Sequence, residues 1–445
     1  MPLKVLSGSL FILTICFLSS CSSAKKLPKP TQESVEPVAS EPVPVDSTLT
    51  DIFLENLLKQ YPQYFDSVLS HKKDWNVQFI YTMVDRGANG IPVLKNYYYN
   101  VNAARYFYPA STVKLPICIL ALQRLNELKI KGLDKNTTML TEHSYSGQTA
   151  VYNDPTTLSG KPSIAHYIKK ILMVSDNDAF NRLYEFLGQD YINEQLHQKG
   201  YGDVQILHRL NIFLSEDENR HTNPIKFLDG NNKILYEQPM QNNTAQYILR
   251  TDSIANAYYK DTQLVPQPMD FSKKNRISLA DLHTILISLF FPSKVTAASR
   301  FNLTDEDRHF LFKYMSQLPT ESNFPPYAAD TAAYWPAYCK FLLFGSEKKA
   351  LPRNIRVFNK VGDAYGQLTD VAYIVDLDKK IEFFLSATIY CNTDGIMNDD
   401  RYNYEDIGFP FMKHLGEVIY EHELSRKRKI IPKLSELIFT YDRAN

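Results

Sequence analysis

The chain has 445 residues, of which 44% are hydrophobic, and its 49 basic and 49 acidic residues give a formal net charge of zero. This charge balance gives no support for nucleic acid as a partner, and the length and apolar content are sufficient for a large folded core. Beyond the first 21 residues there are three cysteines, Cys118, Cys339 and Cys391, which allow at most one bridge and exclude a disulfide framework.

Residues 1–20 have the composition of a cleaved signal peptide. Lys4 precedes an apolar stretch, 10–18, that is too short to span a bilayer. The following Leu18-Ser19-Ser20-Cys21 resembles a bacterial lipobox, so we expect Cys21 to become the lipidated first residue of a protein anchored in the cell envelope and facing the periplasm. A plain secretory signal with an incidental cysteine is the alternative.

Residues 21–50 are rich in proline, serine, glutamate and valine, which predicts an extended tether between the lipid and the body, 51–425. The last segment, 426–445, is predicted to be a tail. It begins with Arg426-Lys427-Arg428-Lys429, which we interpret as a charged stretch in water and not as a membrane or nucleic-acid site.

The body reads as strands at both ends with helices between them. Alternating apolar residues predict a hairpin from strands 77–84 and 93–101, and three later strands at 354–360, 369–376 and 380–390. Apolar residues at helical spacing predict helices at 112–128, 164–174, 179–187, 190–198, 279–290, 305–318 and 409–423. These elements predict an α/β fold in which an antiparallel sheet is built from the N- and C-terminal strands, about 70–110 and 350–422, and is flanked by helices. An all-helical lobe, about 125–345, is inserted between them.

The segment 213–275 is predicted to contain a hairpin at 228–235. It is a lid over a cleft or a surface elaboration, and the sequence does not decide between these.

Ser111 and Lys114 lie at the head of the apolar helix that continues through 115–122. Residues three apart share a helix face, so the lysine amine lies within reach of the serine hydroxyl and can act as the base that makes it a nucleophile. Pro116 is tolerated only near a first turn, which predicts that the helix begins close to Thr112.

The spacing by itself also fits a serine N-cap beside a solvated lysine. It recurs in polar stretches with no apolar helix behind them, at Ser22 and Lys25, Ser23 and Lys26, Ser70 and Lys73, and Ser346 and Lys349.

Two further motifs follow in the chain. Ser175-Asp176-Asn177 lies between two amphipathic helices, where Ser175 can relay a proton and Asn177 can hold a substrate amide; the alternative is an ordinary helix cap. Lys360 and Gly362 end a predicted strand, where the lysine can bind a substrate carboxylate and the glycine allows a substrate close to the backbone. A strand-end lysine in water is the alternative.

S-x-x-K, S-D-N and K-x-G in this order resemble the signature of the serine β-lactamase and penicillin-binding protein family, and the class A β-lactamases in particular. The resemblance extends over about 70–422 and includes Leu207–Asn211 and Thr222–Pro224, which look like the flanks of the class A omega loop. It implies a β-lactamase/transpeptidase-like fold and an oxyanion hole formed by the backbone N–H groups of Ser111 and Asp363.

Two departures from the family pattern stand out. Where class A enzymes place the glutamate that activates the deacylating water, this chain has Ile212-Phe213-Leu214, with Glu216 and Glu218 further along. Val361 replaces the threonine of K-T-G and removes a hydroxyl for a substrate carboxylate.

The resemblance implies a class A β-lactamase-like serine hydrolase that acts on a β-lactam or related amide through a Ser111 acyl-enzyme. Burial and the like charge of Lys360 would keep the Lys114 amine neutral. The alternatives are a penicillin-binding or D-alanyl peptidase-like protein with slow deacylation, acting on peptidoglycan-derived substrates, and a pseudoenzyme that binds cell-wall or protein partners. No metal-binding motif, phosphate loop or G-x-S-x-G motif occurs, so no metal and no cofactor is predicted.

Overall fold

The computed structural model describes residues 47–443. The signal peptide, Cys21 and most of the tether lie outside this range, so the predictions made for them stay predictions. Within it, no helix is both long enough and apolar enough to cross a membrane.

The helices agree closely with the periodicity of the sequence. In chain order they are α1 Ile52–Leu58, α2 Pro62–Ser70, α3 Lys114–Leu128, α4 Ile164–Val174, α5 Asn177–Leu187, α6 Gln189–Gln198, α7 Glu216–Arg220, α8 Leu279–Phe290, α9 Asp305–Ser316 and α10 Phe409–Ser425. A 3₁₀ turn, Ala110–Val113, leads into α3. α1, α2 and the short α7 were not predicted.

The strands comprise five long ones and a set of short ones. They are β1 Gln78–Arg86, β2 Pro92–Tyr99, β3 Thr138–Thr141, β4 His221–Thr222, β5 Ile225–Leu228, β6 Ile234–Gln238, β7 Gln241–Asn242, β8 Ser253–Ile254, β9 Ala257–Lys260, β10 Gln263–Val265, β11 Met269–Asp270, β12 Ile355–Ala364, β13 Gln367–Asp376, β14 Ile381–Tyr390 and β15 Ile396–Met397.

The long strands form one antiparallel sheet in the order β12-β13-β14-β1-β2. The C-terminal hairpins therefore pair with the N-terminal hairpin, and the helices of the middle of the chain lie outside the sheet. This topology confirms the predicted fold class. It also makes β12 an edge strand, so one side of its backbone is free to face a cleft.

Both faces of the sheet are covered, and successive residues of β12 show it. Phe358 belongs to the core between the sheet and the helices of the middle of the chain, whereas Val357 and Val361 belong to the core shared with α1, α2 and α10. Because side chains alternate along a strand, Lys360 lies on the same face as Phe358.

The middle lobe is mainly helical, but the prediction that it is all helical needs correction. β3, β5 and β6 form a small antiparallel sheet that contains the predicted hairpin, and β8 to β11 form two further ladders. These strands are two to five residues long, which is too short for alternation to be recognised in the sequence.

The C-terminal residues pack on the body, so the prediction of a solvated charged tail is wrong for two of its four cations. Arg426 and Arg428 both pair with the buried Glu423, and Arg426 also reaches Asp85 at 2.6 Å. Leu434 and Leu437 are buried in the core. An arginine can bind a carboxylate that the fold buries. The local sequence of a charged run does not reveal such a partner.

Candidate active site

The structure brings together the three motifs that the sequence placed far apart. The Lys114 Nζ lies 2.8 Å from the Ser111 Oγ, and the Ser175 Oγ lies 3.3 Å from the same nitrogen. The Lys360 Nζ donates to the Ser175 Oγ at 2.9 Å. The predicted convergence of Ser111, Ser175 and Lys360 in one site is confirmed.

α3 positions the serine and the lysine because it is the central helix of the lobe. Its residues from Lys114 to Gln123 are all buried, as expected of a helix surrounded by other elements. The Lys114 side chain extends from this buried helix and is itself 0% exposed.

The surroundings of the Lys114 amine match a neutral lysine. Its Nζ lies 2.5 Å from the Ser175 backbone oxygen and 2.7 Å from the Asn177 Oδ1, two groups that can only accept. A neutral amine has two N–H donors and one lone pair, which leaves the lone pair for the Ser111 hydroxyl. Burial, followed by the positive charge of Lys360, places the pKa of Lys114 well below its ordinary value. The amine can therefore accept the serine proton.

The turn between α4 and α5 holds the S-D-N motif in place. Ser175 adopts a left-handed conformation with φ of 60° at the end of α4. Asp176 caps α5 by accepting from the Ala179 N–H at 2.8 Å, and it also pairs with Lys170 at 3.6 Å. Asp176 braces the turn, as predicted, and Asn177 lines the cleft beside Ser111, whereas Ser175 is shown in contact with the two lysine amines.

Gly362 has a structural role in addition to the one predicted. A Cβ at this position would lie 2.7 Å from the Pro109 O and 2.9 Å from the N atoms of Ser111 and Thr112. The glycine therefore admits the backbone of the serine turn, not only a substrate. This contact places β12 directly against the Ser111 amide, with Asp363 as the next residue of the strand.

Lys360 is buried, 1% exposed, and burial is the main cause that lowers its pKa. The neighbouring Val361 points to the opposite face of β12 and is buried in the core, so it does not line the cleft. β12 therefore presents the amine of Lys360 at the site, and the next residue, Val361, adds no hydroxyl.

A buried hydrogen-bond network, which the motifs did not indicate, supports the face of β12 opposite Lys360. The Lys340 Nζ donates to the Asn359 Oδ1 at 2.7 Å, and the Asn359 Nδ2 donates to the Asp370 Oδ1 at 2.8 Å. Burial lowers the pKa of Lys340 to about 8 and raises that of Asp370 to about 6.

The loop 209–223 corresponds to the predicted omega-loop segment, and Arg209 ties its ends together. Its guanidinium donates to Glu185 at 3.0 Å, to the His221 O at 3.0 Å and to the Asn223 Oδ1 at 3.3 Å. Arg182 binds the second oxygen of Glu185 at 2.9 Å. The two predicted flanks of the loop are therefore in contact.

No glutamate of this loop lines the cleft next to Ser111. Glu216 pairs with Lys273, and Glu218 accepts from Ser146 at 2.7 Å while it caps α7. A Cβ on Gly147 would meet the Leu214 side chain at 2.5 Å, so Leu214 packs against that neighbouring loop. The loop residues that line the cleft are Leu210 and Asn211.

The cleft beside Ser111 has a volume of about 400 Å³. Its walls include Asn177, Asp363 and Asn211, the last residue of the first predicted omega-loop flank. They also include residues that the sequence did not single out, namely Tyr108, Tyr365, Asn398, Asp400 and Tyr402. No motif marks these five residues, which come from three separate stretches of chain.

Part of the segment 213–275 packs against residues that line this cleft. β9 pairs in parallel with β15, next to Asn398, and Phe271 packs in a cluster with Tyr108 and Tyr365. The segment is therefore neither a separate lid nor an elaboration remote from the site. Within residues 47–443, no group of histidine, cysteine and carboxylate side chains has the arrangement of a metal site.

Comparisons with known proteins agree with this geometry. Residues 87–250 match the model of the β-lactamase enzyme family. No curated protein matches the chain significantly.

Among solved structures, a β-lactamase from Desulfarculus baarsii is 14% identical with a TM-score of 0.45, covering 82% of this chain and 97% of its own. A β-lactamase from Xanthomonas campestris is 13% identical with a TM-score of 0.43, covering 80% and 97%. The structure of PBP-A is 16% identical with a TM-score of 0.44, covering 83% and 96%.

The matched segment contains both S-x-x-K and S-D-N and ends before Lys360. It confirms the resemblance that the motifs predicted, to the family of serine β-lactamases and penicillin-binding proteins.

Proposed function

We propose that the protein is a serine acyl-enzyme hydrolase of the penicillin-binding type, which acylates Ser111 with a β-lactam or a peptidoglycan-derived amide and releases the acyl group slowly. The observation that carries this proposal is the arrangement of the buried Lys114 amine, 2.8 Å from the Ser111 Oγ with two acceptors for its N–H groups.

In the acylation step, Lys114 takes the hydroxyl proton while the Ser111 Oγ forms a bond to the carbonyl carbon. The backbone N–H groups of Ser111 and Asp363 stabilise the oxyanion. When the carbon–nitrogen bond breaks, Ser175 passes a proton to the leaving nitrogen, since its hydroxyl contacts both lysine amines. Asn177 holds the substrate amide, and Lys360 attracts a substrate carboxylate.

Slow release is supported by the loop 209–223. Its two glutamates, Glu216 and Glu218, are engaged in other contacts, and the loop offers Asn211 to the cleft. An amide side chain cannot take a proton from water, so hydrolysis of the ester lacks the base that the family places in this loop.

The test is the intact mass of the protein during exposure to a penicillin and after its removal. A lasting adduct on the wild-type chain, absent from Ser111→Ala, is the expected result. A transient adduct with turnover would instead show a hydrolytic β-lactamase. An adduct that survives in Ser111→Ala would exclude Ser111 as the nucleophile, and no adduct at all would favour a binding module.

We also propose that the body is anchored in the cell envelope through Cys21, because this cysteine directly follows the lipobox-like residues. Replacing Cys21 with serine should move the protein from the membrane fraction to the soluble periplasmic fraction. Retention in the membrane fraction would contradict the anchor and would leave the proposal for Ser111 intact.

A further inference from the structure

The lining of the cleft beside Ser111 carries carboxylates and no cation. Lys114 and Lys360 are buried next to the serine and interact with Asp363, whereas Asp400 comes from a different stretch of chain; the lining side chains of the described residues include no lysine or arginine. A ligand beside Asp400 would therefore meet negative charge.

Aromatic rings also line the part of the cleft near Asp400. Tyr108 and Tyr365 pack edge to face with centroids 5.2 Å apart, and Tyr402 lines the same wall. Its hydroxyl accepts from the Asn398 N–H at 3.0 Å, which holds the turn that carries Asp400. Rings beside a carboxylate form the surroundings that attract an alkylammonium group, through charge and through cation–π interaction.

Tyr108 adds a hydrogen-bonding group to the lining of the cleft. It is 4% exposed and lines the cleft, and within residues 47–443 its hydroxyl makes no hydrogen bond. A phenol oxygen at the edge of a buried ring is a polar group that a ligand N–H can satisfy.

We propose that the outer end of this cleft, formed by Tyr108, Tyr365, Asp400 and Tyr402, is a subsite for a primary ammonium group. It therefore selects substrates in which an amine follows the amide held by Asn177. This inference rests on the proposed function only for the orientation of the substrate, since binding of the amine does not require acylation.

The orientation follows from β12. In the proposed function Asn177 and the edge of this strand hold the substrate amide, and the strand ends at Ala364, directly before Tyr365 of the cleft wall. A substituent on the carbon next to that amide therefore extends toward Asp400. The position of Asp400 depends on the pairing of β9 with β15, which gives part of the 213–275 segment a role in selecting the substrate.

The test uses two penicillins that differ by one ammonium group, benzylpenicillin and its α-amino derivative ampicillin. Their dissociation constants are measured by ligand-observed NMR titration on the full-length Ser111→Ala protein, which cannot be acylated, so the result is independent of whether the wild type forms an adduct. We expect ampicillin to bind about fivefold more tightly, the size of one partly exposed charge pair. The preference should fall at high ionic strength.

Asp400→Asn in the same background should remove the preference. The matched control is Asp394→Asn, which makes the same change of charge in the same segment but outside the cleft lining; its side chain accepts from the Ile396 N–H, and the preference should remain. Equal binding of the two penicillins, a preference retained in Asp400→Asn, or binding of neither would each overturn the inference. The acylation proposal fails separately, if the wild type forms no adduct.

Discussion

Two regions contribute to the same cleft and present different chemical groups to it. The centre formed by α3, the S-D-N turn and β12 links two amines and two hydroxyls through three contacts of 2.8 to 3.3 Å. The loop 209–223 is equally well held, by Arg209 and Glu185, yet it offers the cleft no carboxylate. A loop that is firmly held does not become catalytic for that reason alone, because acylation and deacylation need different groups.

The strongest test of the first region is Lys114→Met, which keeps the length of the side chain and removes the base. A general base contributes about 10²–10⁴-fold, so the acylation rate by a fluorescent penicillin should fall by that factor. Lys131→Met, at an exposed position, is the control and should acylate at the wild-type rate. An unchanged rate in Lys114→Met would show that another group takes the serine proton.

Gly362→Ala tests whether the contact of β12 with the serine turn matters. The new Cβ would lie within 2.9 Å of backbone atoms of that turn, and such overpacking costs about 1–3 kcal/mol of unfolding free energy. We expect lower stability in denaturant titration together with slower acylation. Gly202→Ala, which meets nothing within 4 Å, should change neither. Wild-type acylation by Gly362→Ala would mean that the turn relaxes without moving Ser111.

Asn211→Asp adds to the second region the kind of group it lacks. Asn211 lines the cleft with φ of 54°, a conformation that aspartate also tolerates. If a base limits release, the lifetime of the acyl adduct should shorten by at least about tenfold, measured by intact mass over time. Asn231→Asp, in the exposed turn between β5 and β6, should leave the lifetime unchanged. An equally unchanged lifetime in Asn211→Asp would place the cause of slow release elsewhere.

The smallest expected effect concerns the pH dependence of acylation. Because the pKa of Lys114 is lowered by burial and by Lys360, the neutral amine should form, and the rate should rise, at a pH below the ordinary lysine value of about 10.4. Lys360→Met removes a like charge, which raises the pKa of Lys114 and moves this rise to higher pH. Lys360→Arg keeps the charge and should keep the midpoint near that of the wild type. A midpoint that does not move in Lys360→Met would mean that burial alone sets the pKa.

The sequence predicted the part of the fold that depends on local pattern. The long strands, most helices and the order of S-x-x-K, S-D-N and K-x-G could be read from it, and α4 and α8 begin and end at the predicted residues. Periodicity and helix-capping residues act over a few positions, so a single chain reveals them. The short strands and the packing of the last residues were missed because contacts distant in the chain stabilise them.

For the site, the sequence predicts Ser111, Lys114, Ser175, Asn177 and Lys360, because each belongs to a motif with a fixed spacing. The contacts that engage Glu216 and Glu218, and the approach of Asp400 to the cleft, are visible only in the folded chain. The pairing of β9 with β15 joins residues more than a hundred positions apart, and no local pattern encodes such a contact. The motifs therefore predict the nucleophile. The cleft wall that contains Asp400, in contrast, forms only when distant segments pack together.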